Sequence, residues 1–298
     1  MDNEKKYIVG IGEALWDCFP EGKKLGGAPA NFAFHVSQHG LNGIAVSAVG
    51  DDELGHELID TLKYEDMEYY IPTVNYPTGT VQVTLNERGV PQYEICENVA
   101  WDNVEFTPEL QDLARSCQAV CFGSLAQRNS VTRNTIKRFV DAMPKEGVLR
   151  VFDINLRQAF YSKEIIESSI DMSNVPRINY EEVEVVTPML SIPMGTQEER
   201  CKALLAKYPA LDILILTCGE EGSHIFTREI HTFVSTPKVK VASTVGAGDS
   251  FTATFVAGIL SGLNVADAHY HAVMVSAHVC THDGAMPQLP HHLKCNKA

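Results

Sequence analysis

Short runs of apolar residues alternate along the chain with longer segments whose apolar positions repeat at helical spacing. Each run has the length of one strand and ends at a glycine or a polar residue, which is typical of a buried parallel strand followed by a turn. The predicted strands are Tyr7–Ile11, Gly43–Val49, Ala119–Phe122, Val148–Phe152 and Leu211–Leu216. The predicted helices are Pro29–His39, Glu53–Tyr64, Ser130–Met143 and Thr196–Lys207. The alternation indicates βαβ units, so we predict an α/β fold: an open, mostly parallel sheet with helices on both faces.

Two segments, residues 14–25 and 68–100, depart from this alternation. In the second, Val81, Val83 and Leu85 alternate with polar residues, and a turn is expected near Arg88-Gly89. That pattern predicts a hairpin with one face exposed to water. We therefore expect a small β lid, formed by these two segments, on a single domain that spans residues 1–298.

Length, charge and cysteine usage narrow the class of protein. A chain of 298 residues can form one large α/β domain. Its 24 basic and 38 acidic residues give a net charge of −14, which argues against a nucleic-acid groove. Phosphorylated ligands remain possible, because backbone N–H groups bind anions locally. Eight cysteines without a C-x-x-C pair, no signal-peptide pattern and no long apolar run predict a cytoplasmic protein with no membrane span.

The segment STVGAGDSF, at 243–251, raises the question of why small residues cluster just before a long apolar stretch. One helical face is predicted for Phe251, Phe255, Val256, Ile259 and Leu260, with the helix ending near Gly262. The small residues then lie at the helix N-terminus, where unpaired N–H groups favour an anion. Asp249 lies in the first turn beside them. An anion site next to a carboxylate suits phosphoryl transfer; the alternative is that Asp249 only complements the helix dipole.

Several motifs resemble those of the PfkB (ribokinase-like) carbohydrate kinases. TVGAGDSF resembles the C-terminal signature of that family, and GGAPANFAFHVSQHG at Gly26–Gly40 resembles its first signature. Further similar pieces follow in the family's order: GDDELG at Gly50–Gly55, DINLR at Asp153–Arg157, NYEE at Asn179–Glu182, TCGEEG at Thr217–Gly222 and GAMP at Gly284–Pro287. The resemblance covers most of the chain. It implies a ribokinase-like fold and an ATP-dependent sugar kinase that uses Mg²⁺.

The resemblance also implies roles for residues near the sugar. Asp249 would be the base that deprotonates a sugar hydroxyl, and the anion hole would be formed by the amides of Gly246, Ala247 and Gly248. Sugar contacts would come from Asp17, Gly26, Gly27, Asn31 and Asn155, besides Asp249 itself. Arg157 would hold a phosphate or close on the sugar; a salt bridge at a strand end is the alternative.

On the nucleotide side, the resemblance assigns a loop and a short polar motif. Thr217, Gly219 and Gly222 would form the nucleotide loop, with Gly246 and Gly248 also touching ATP. Asn179 and Glu182 would act through water around Mg²⁺ and the phosphates, which fits an ion that keeps several of its waters. Taken alone, Glu182 is better interpreted as part of a solvated helix face.

One position departs from the family pattern. Many members carry an aspartate where this chain has Ser243, and in the family that carboxylate helps to bind a monovalent cation. Serine offers a neutral oxygen, so activation by K⁺ is left open. The predicted base Asp249 is unaffected by this change.

The choice of sugar rests on resemblance. GEALWDCFPEGKKLGGAPANFA, FGSLAQR and YEICENVAWD are most similar to bacterial fructokinases, which implies fructose phosphorylated at a primary hydroxyl. Trp16, Phe19 and Tyr93 offer apolar faces that suit a small polyol. The alternatives are ribose, 2-keto-3-deoxygluconate, a nucleoside, or an inactive sugar-binding regulatory protein. A homodimer through an apolar face of the lid is also expected.

Overall fold

Strands and helices alternate through the residues that this computed structural model describes, which are 5–19, 22–85 and 91–295. The strands there are β1 Tyr7–Ile11, β2 Leu15–Phe19, β3 Gly22–Gly26, β4 Gly43–Val46, β5 Val49–Gly50, β6 Glu68–Tyr70, β7 Thr73–Val74, β8 Thr80–Leu85, β9 Pro91–Ile95, β10 Cys117–Gly123, β11 Leu149–Asp153, β12 Val175–Asn179, β13 Leu214–Thr217, β14 Ser223–Phe226 and β15 His231–Val234. The helices are α1 Ala28–Gln38, α2 Glu53–Tyr64, α3 Pro108–Arg115, α4 Ser130–Ala142, α5 Lys163–Met172, α6 Tyr180–Met189, α7 Gln197–Lys207, α8 Ala247–Leu260 and α9 Val265–Cys280.

The main sheet has nine strands among the described residues, in the order β15-β14-β13-β12-β11-β10-β1-β4-β6. All neighbours from β13 to β6 run parallel, and only β14 and β15 are antiparallel. The register pairs Gly123 with Asp153, Asp153 with Arg177 and Asn179 with Thr217. The polar ends of β11, β12 and β13 therefore lie side by side at one edge, where ligands of open α/β sheets collect.

Strand β1, in the middle of the sheet, is buried on both faces, which explains its uninterrupted apolar sequence. Val9 and Ile11 point into the core formed with helices α3 to α7. Ile8, between them, points into the opposite core, formed with α1, α8 and α9. The predicted α/β architecture with helices on both faces is confirmed.

The lid is a separate four-stranded sheet in the order β3-β2-β8-β9. The predicted hairpin is present, since β8 and β9 pair antiparallel; its turn near Arg88-Gly89 lies outside the described residues. The predicted lid segment 68–100 is too wide, however. Strand β6 pairs with β4 at the edge of the main sheet, and β7 pairs with β5. The part of this segment that belongs to the lid sheet therefore begins at Thr80.

Several predicted element bounds change for local reasons. The strand predicted over Gly43–Val49 ends at Val46, and Val49–Gly50 pairs separately. The helix predicted from Thr196 begins one residue later, because the Thr196 side chain caps it by accepting from Glu199 N. The helix after Gly246 ends at Leu260, close to the predicted stop. Strand β12 was missed, because Pro176 and Arg177 interrupt its apolar pattern.

The segment HHLKC at 291–295 reads from sequence as a solvated tail, and this expectation is wrong. Leu293 and Cys295 are buried, and the Cys295 amide donates to Nδ1 of His39 at 3.0 Å. Searching the described helices for one that is apolar and long enough to cross a bilayer finds none.

A buried ion pair attaches the segment after the lid to the main body. The guanidinium of Arg128 donates from Nε and Nη2 to the two carboxylate oxygens of Asp102, both at 2.8 Å. It also donates to the Cys96 carbonyl at 2.6 Å and stacks over the Trp101 ring, 4.0 Å from its centroid. Both charged side chains are nearly inaccessible to water.

Replacing Arg128 should therefore be costly. Arg128→Met leaves the Asp102 carboxylate buried without its partner, and we expect the free energy of unfolding to fall by about 3–5 kcal/mol. Urea denaturation measures this. The exposed pair of Arg115 and Asp112 is the control, and Arg115→Met there should cost at most about 1 kcal/mol. Equal losses in the two variants would contradict the importance of the buried pair.

Candidate active site

The first turn of α8 is built to leave backbone amides accessible. Gly246 caps the helix with a left-handed backbone, φ 78°, and a Cβ there would lie 2.7 Å from Ala285 Cα, so only glycine fits. The Ala247 amide closes a turn onto the Thr244 carbonyl at 3.3 Å. Within the part of the chain that the structure describes, the amides of Gly246 and Gly248 have no backbone partner. Of the three predicted anion-hole amides, these two are left for a ligand.

Asp249 lies in the same turn and contacts a second helix. Its Oδ2 accepts a hydrogen bond of 2.7 Å from Nδ2 of Asn31, in the first turn of α1. Burial, and next the charge of Asp153, raise the pKa of Asp249 to about 6, while the Asn31 hydrogen bond opposes that rise. A carboxylate with a pKa near neutrality is well suited to accept a proton from a hydroxyl.

Arg177 is a central residue that the sequence analysis missed. From β12, its buried guanidinium donates 3.0 Å hydrogen bonds to Asp153 Oδ1 and to Thr217 Oγ1. Burial alone would lower the pKa of Arg177, but the carboxylates of Asp153 and Glu182 outweigh it and raise the pKa. A Cβ at Gly248 would lie 2.5 Å from Arg177 Nη2, so the cation lies directly against the candidate anion hole. The sequence signal that could have identified Arg177 was a charged residue inside an otherwise apolar strand.

The diglycine lets the end of β3 pass close to one carboxylic side chain and to the backbone of the segment after β1. A Cβ at Gly26 would lie 2.5 Å from Asp17 Oδ2, and one at Gly27 would lie 2.3 Å from the Glu13 carbonyl oxygen. Burial raises the pKa of Asp17 to about 6. The predicted neighbours Asp17, Gly26 and Gly27 are thus brought together.

Glu13 is a further carboxyl group that the sequence analysis missed. It lies two residues after the end of β1, is 3% exposed, and its Oε2 has no hydrogen-bond partner among the described residues. Burial raises its pKa to about 7, and the charge of Asp249 adds to the rise. An acidic residue shortly after a buried strand could have drawn attention to it.

The loop after β11 carries the predicted Asn155 and Arg157. Asn155 is buried and has a left-handed backbone, φ 43°, which is uncommon for a residue other than glycine. Arg157 is exposed, and its Nη1 donates to the Leu156 carbonyl at 3.0 Å. Its charge lowers the pKa of Glu13, of Asp17 and of Asp249. Among the described residues, Arg157 forms no salt bridge, which was the alternative considered for it.

Asn179 and Glu182 cap α6 reciprocally. Asn179 Oδ1 accepts from the amides of Glu181 and Glu182, and Glu182 Oε2 accepts from the Asn179 amide at 2.9 Å. The other oxygen, Oε1, accepts from the Leu156 amide at 2.9 Å. Glu182 is buried rather than part of a solvated face, and both oxygens already bind backbone. The side chains of Asn179 and Glu182 therefore fit contact with Mg²⁺ through its water molecules rather than direct coordination of the ion.

A cavity of about 1070 Å³ opens beside the N-terminus of α8. Five of the six residues predicted to touch the nucleotide line it: Asn179, Thr217, Gly219, Gly222 and Gly248. Gly246 does not. Arg177 lines the same cavity, and apolar walls come from Val239, Val241, Phe251 and Val273. Its volume suits a nucleotide, with apolar walls for a base and amides with a cation for phosphates.

Ser243 lies at the start of the turn that leads to α8. Its Oγ accepts from the Val245 amide at 3.2 Å, so the hydroxyl that replaces the family's carboxylate supports the local backbone. The effect on K⁺ stays a prediction.

Comparison with known proteins identifies the family. The profile of the pfkB family carbohydrate kinases matches residues 13–292. The chain belongs to this family. It is 28% identical to the probable fructokinase-2 of Arabidopsis thaliana over 97% of this chain and 94% of that protein. It is also 28% identical to an ATP-dependent 6-phosphofructokinase of Thermoanaerobacterium thermosaccharolyticum, over 97% and 92% of the two chains. A fructokinase structure with bound ATP, from Xylella fastidiosa, shares the fold with a TM-score of 0.84, 20% identity and coverage of 96% and 95%.

These matches confirm the predicted fold, family and enzyme class: the protein is a carbohydrate kinase. The residue roles are a separate matter. The geometry brings Asp17, Gly26, Gly27, Asn31 and Asp249 into one region and the nucleotide-loop residues into the adjoining cavity, while their individual functions stay predictions.

The close approach of Arg177 to Gly248 can be tested by unfolding. Gly248→Ala should lower the free energy of unfolding by roughly 1–3 kcal/mol, because the added methyl group overlaps the guanidinium. In an Arg177→Met background the same change should be neutral or stabilising by up to about 1 kcal/mol, since alanine is the better helix former. Urea denaturation of the four proteins gives the coupling. An equal cost in both backgrounds would show that the two residues do not meet.

Proposed function

We propose that this carbohydrate kinase transfers the γ-phosphoryl group of ATP to a primary hydroxyl of fructose. The observation that carries the proposal is Asp249, a half-buried carboxyl group with a pKa near 6, next to Gly248, which borders the large cavity. In this mechanism Asp249 accepts the hydroxyl proton as the sugar oxygen attacks the γ-phosphorus. The amides of Gly246 and Gly248 stabilise the charge on the transferred group, with the Arg177 guanidinium directly behind them.

The charges on the sugar side favour an unphosphorylated substrate. Glu13, Asp17 and Asp249 place three carboxyl groups there, with Arg157 as the cation that interacts with all of them. A phosphate on the sugar would be repelled by this group of carboxylates. The relatives named fructokinase support fructose. Fructose 6-phosphate is nevertheless a second candidate, because the 6-phosphofructokinase relative is as similar as the first fructokinase.

Two cations, Mg²⁺ and K⁺, bear on the proposed reaction. Mg²⁺ would enter with the nucleotide phosphates and supply charge neutralisation there, with Asn179 and Glu182 acting through its waters. Activation by K⁺ should be weak, since Ser243 offers no carboxylate.

One face of the lid sheet is covered by other parts of the chain. Leu15, Val81, Ile95 and Trp101 form one buried cluster between the lid sheet and the segment behind it. Since Val81 and Ile95 are already covered within the chain, the apolar face expected to drive a lid-mediated dimer is reduced. We propose a homodimer through the lid; a monomer in sedimentation experiments at micromolar concentration would contradict it.

The substrate is tested by measuring ADP release with ATP and Mg²⁺ across fructose, fructose 6-phosphate, ribose, glucose, 2-keto-3-deoxygluconate and adenosine, each in Na⁺ and in K⁺. We expect turnover on fructose and little difference between the two cations. Turnover on another substrate would keep the mechanism and replace fructose. Sugar binding without any turnover would favour the regulatory alternative.

Asp249→Asn is the control variant for that assay. It keeps the shape of the side chain but removes the base, so kcat should fall by roughly 10²–10⁴ while fructose affinity changes little. Near-normal kcat in this variant would exclude Asp249 as the base.

The pKa of Asp249 predicts the acidic limb of the pH profile. The base acts only when deprotonated, so kcat/KM should be constant above pH 7 and fall as the pH drops through about 6. The Asn31 hydrogen bond stabilises the charged form, and Asn31→Ala should move this limb to higher pH. Asn42, before β4 at the opposite end of the sheet, is the control, and Asn42→Ala should leave the limb in place. A limb that does not move in Asn31→Ala would contradict the assigned contact.

A further inference from the structure

Away from the active site, three potential ligand side chains converge at the free edge of the main sheet. His224 lies on β14 and His231 on β15, the last two strands, and Glu198 lies in the first turn of α7. In the register, His224 is opposite Phe233, and His231 is two residues from Phe233. The two histidines therefore project from the same face of the sheet as diagonal neighbours.

The distances between the ligand atoms approach those of a coordination sphere. Nδ1 of His224 lies 3.0 Å from Nε2 of His231, and Glu198 Oε2 lies 4.0 Å from that Nε2. All three atoms lie within 4.8 Å of one another. Two nitrogen ligands on one tetrahedral zinc, each about 2.0–2.1 Å from the metal, are about 3.3 Å apart. The two histidine nitrogens reach this spacing by moving apart by about 0.3 Å, and Glu198 Oε2 reaches it by moving about 0.7 Å toward His231 Nε2.

Aromatic neighbours hold the two imidazoles in this arrangement. The His224 ring centroid is 4.7 Å from that of Phe233, and the His231 ring stacks on Phe226 at 4.4 Å. The imidazoles stack on each other at 5.2 Å. Such packing reduces the rotamer freedom that would be lost on binding, which favours a site that is largely formed in advance.

We propose that Glu198, His224 and His231 form a transition-metal site of the class that binds Zn²⁺. Imidazole nitrogen with one carboxylate suits Zn²⁺, whereas Mg²⁺ and Ca²⁺ prefer oxygen ligands alone. Three protein ligands leave a fourth position for water. Among the described residues, this is the one cluster of histidine, cysteine and acidic side chains with such spacing.

The proposed metal site is separate from the large cavity, although His224 directly follows a residue that lines the cavity. Ser223 lines the cavity, and successive side chains of a strand point to opposite faces, so His224 points away from it. One local charge opposes metal binding: Lys202 Nζ lies 3.8 Å from Glu198 Oε2. The metal has to displace this exposed ion pair, which costs little.

The direct test is a calorimetric titration of the full chain, free of any affinity tag, with Zn²⁺. We expect one equivalent to bind, and His231→Gln and His224→Gln each to weaken binding at least about tenfold. His231 is exposed, so its replacement should not disturb folding. His56→Gln is the matched control, because His56 is also exposed and paired with a carboxylate, Asp51 at 3.3 Å, but has no second imidazole beside it.

Two further measurements sharpen the outcome. Lys202→Gln should tighten Zn²⁺ binding roughly two- to fivefold, because the ion pair that competes for Glu198 is lost. Weaker binding in that variant would contradict Glu198 as a ligand of the metal. Co²⁺ should give visible absorption bands that disappear in His231→Gln. No Zn²⁺ binding, binding unchanged in both histidine variants, or an intense thiolate-to-Co²⁺ band would overturn the proposal, the last by placing the metal on cysteines.

Discussion

The buried guanidinium of Arg177 is the contact on which the arrangement of the active site depends. It joins the ends of β11, β12 and β13 through Asp153 and Thr217, and it lies against Gly248 at the start of α8. A buried cation is stable only with such partners, since desolvation would otherwise be prohibitive. The same charge is directed toward the turn in which phosphate binding is proposed. One residue thus fixes the strand ends and contributes positive potential to the proposed nucleotide side.

The proposed sugar side concentrates carboxyl groups whose charged forms are disfavoured by burial. Glu13, Asp17 and Asp249 have pKa values raised to about 7, 6 and 6. Protons are therefore shared among several acceptors close to neutral pH, which suits a reaction that begins by removing one from a hydroxyl. Asn31 counteracts the rise at Asp249 alone by donating to it. This contact gives Asp249 a more accessible charged form than burial would allow.

The sequence predicted the features that depend on local pattern. Strand β1 and helix α2 have the predicted bounds, and the glycine-rich start of α8 follows from the need for close approach to backbone. What it missed depends on pairing across the sheet. In the sequence, Arg177 only interrupts an apolar strand pattern, and its role becomes visible when β11 and β13 lie beside it. The residues of β6 were assigned to the lid because their pairing with β4 cannot be seen in the sequence. Glu13 gains meaning only from its distance to Asp249, which lies more than two hundred positions later in the chain.

The alternation of side chains along β14 shows how one strand can serve two chemistries. Gly222 and Ser223 border the large cavity in which we propose nucleotide binding, and the next residue, His224, faces the outer surface beside His231. The two histidines are seven residues apart, and Glu198 belongs to an earlier helix, so no spacing in the sequence matches a ligand pattern. The antiparallel turn back into β15 creates the cluster. Because the parallel strands before it require long crossovers, only this edge of the sheet can bring such nearby positions face to face without a helix between them.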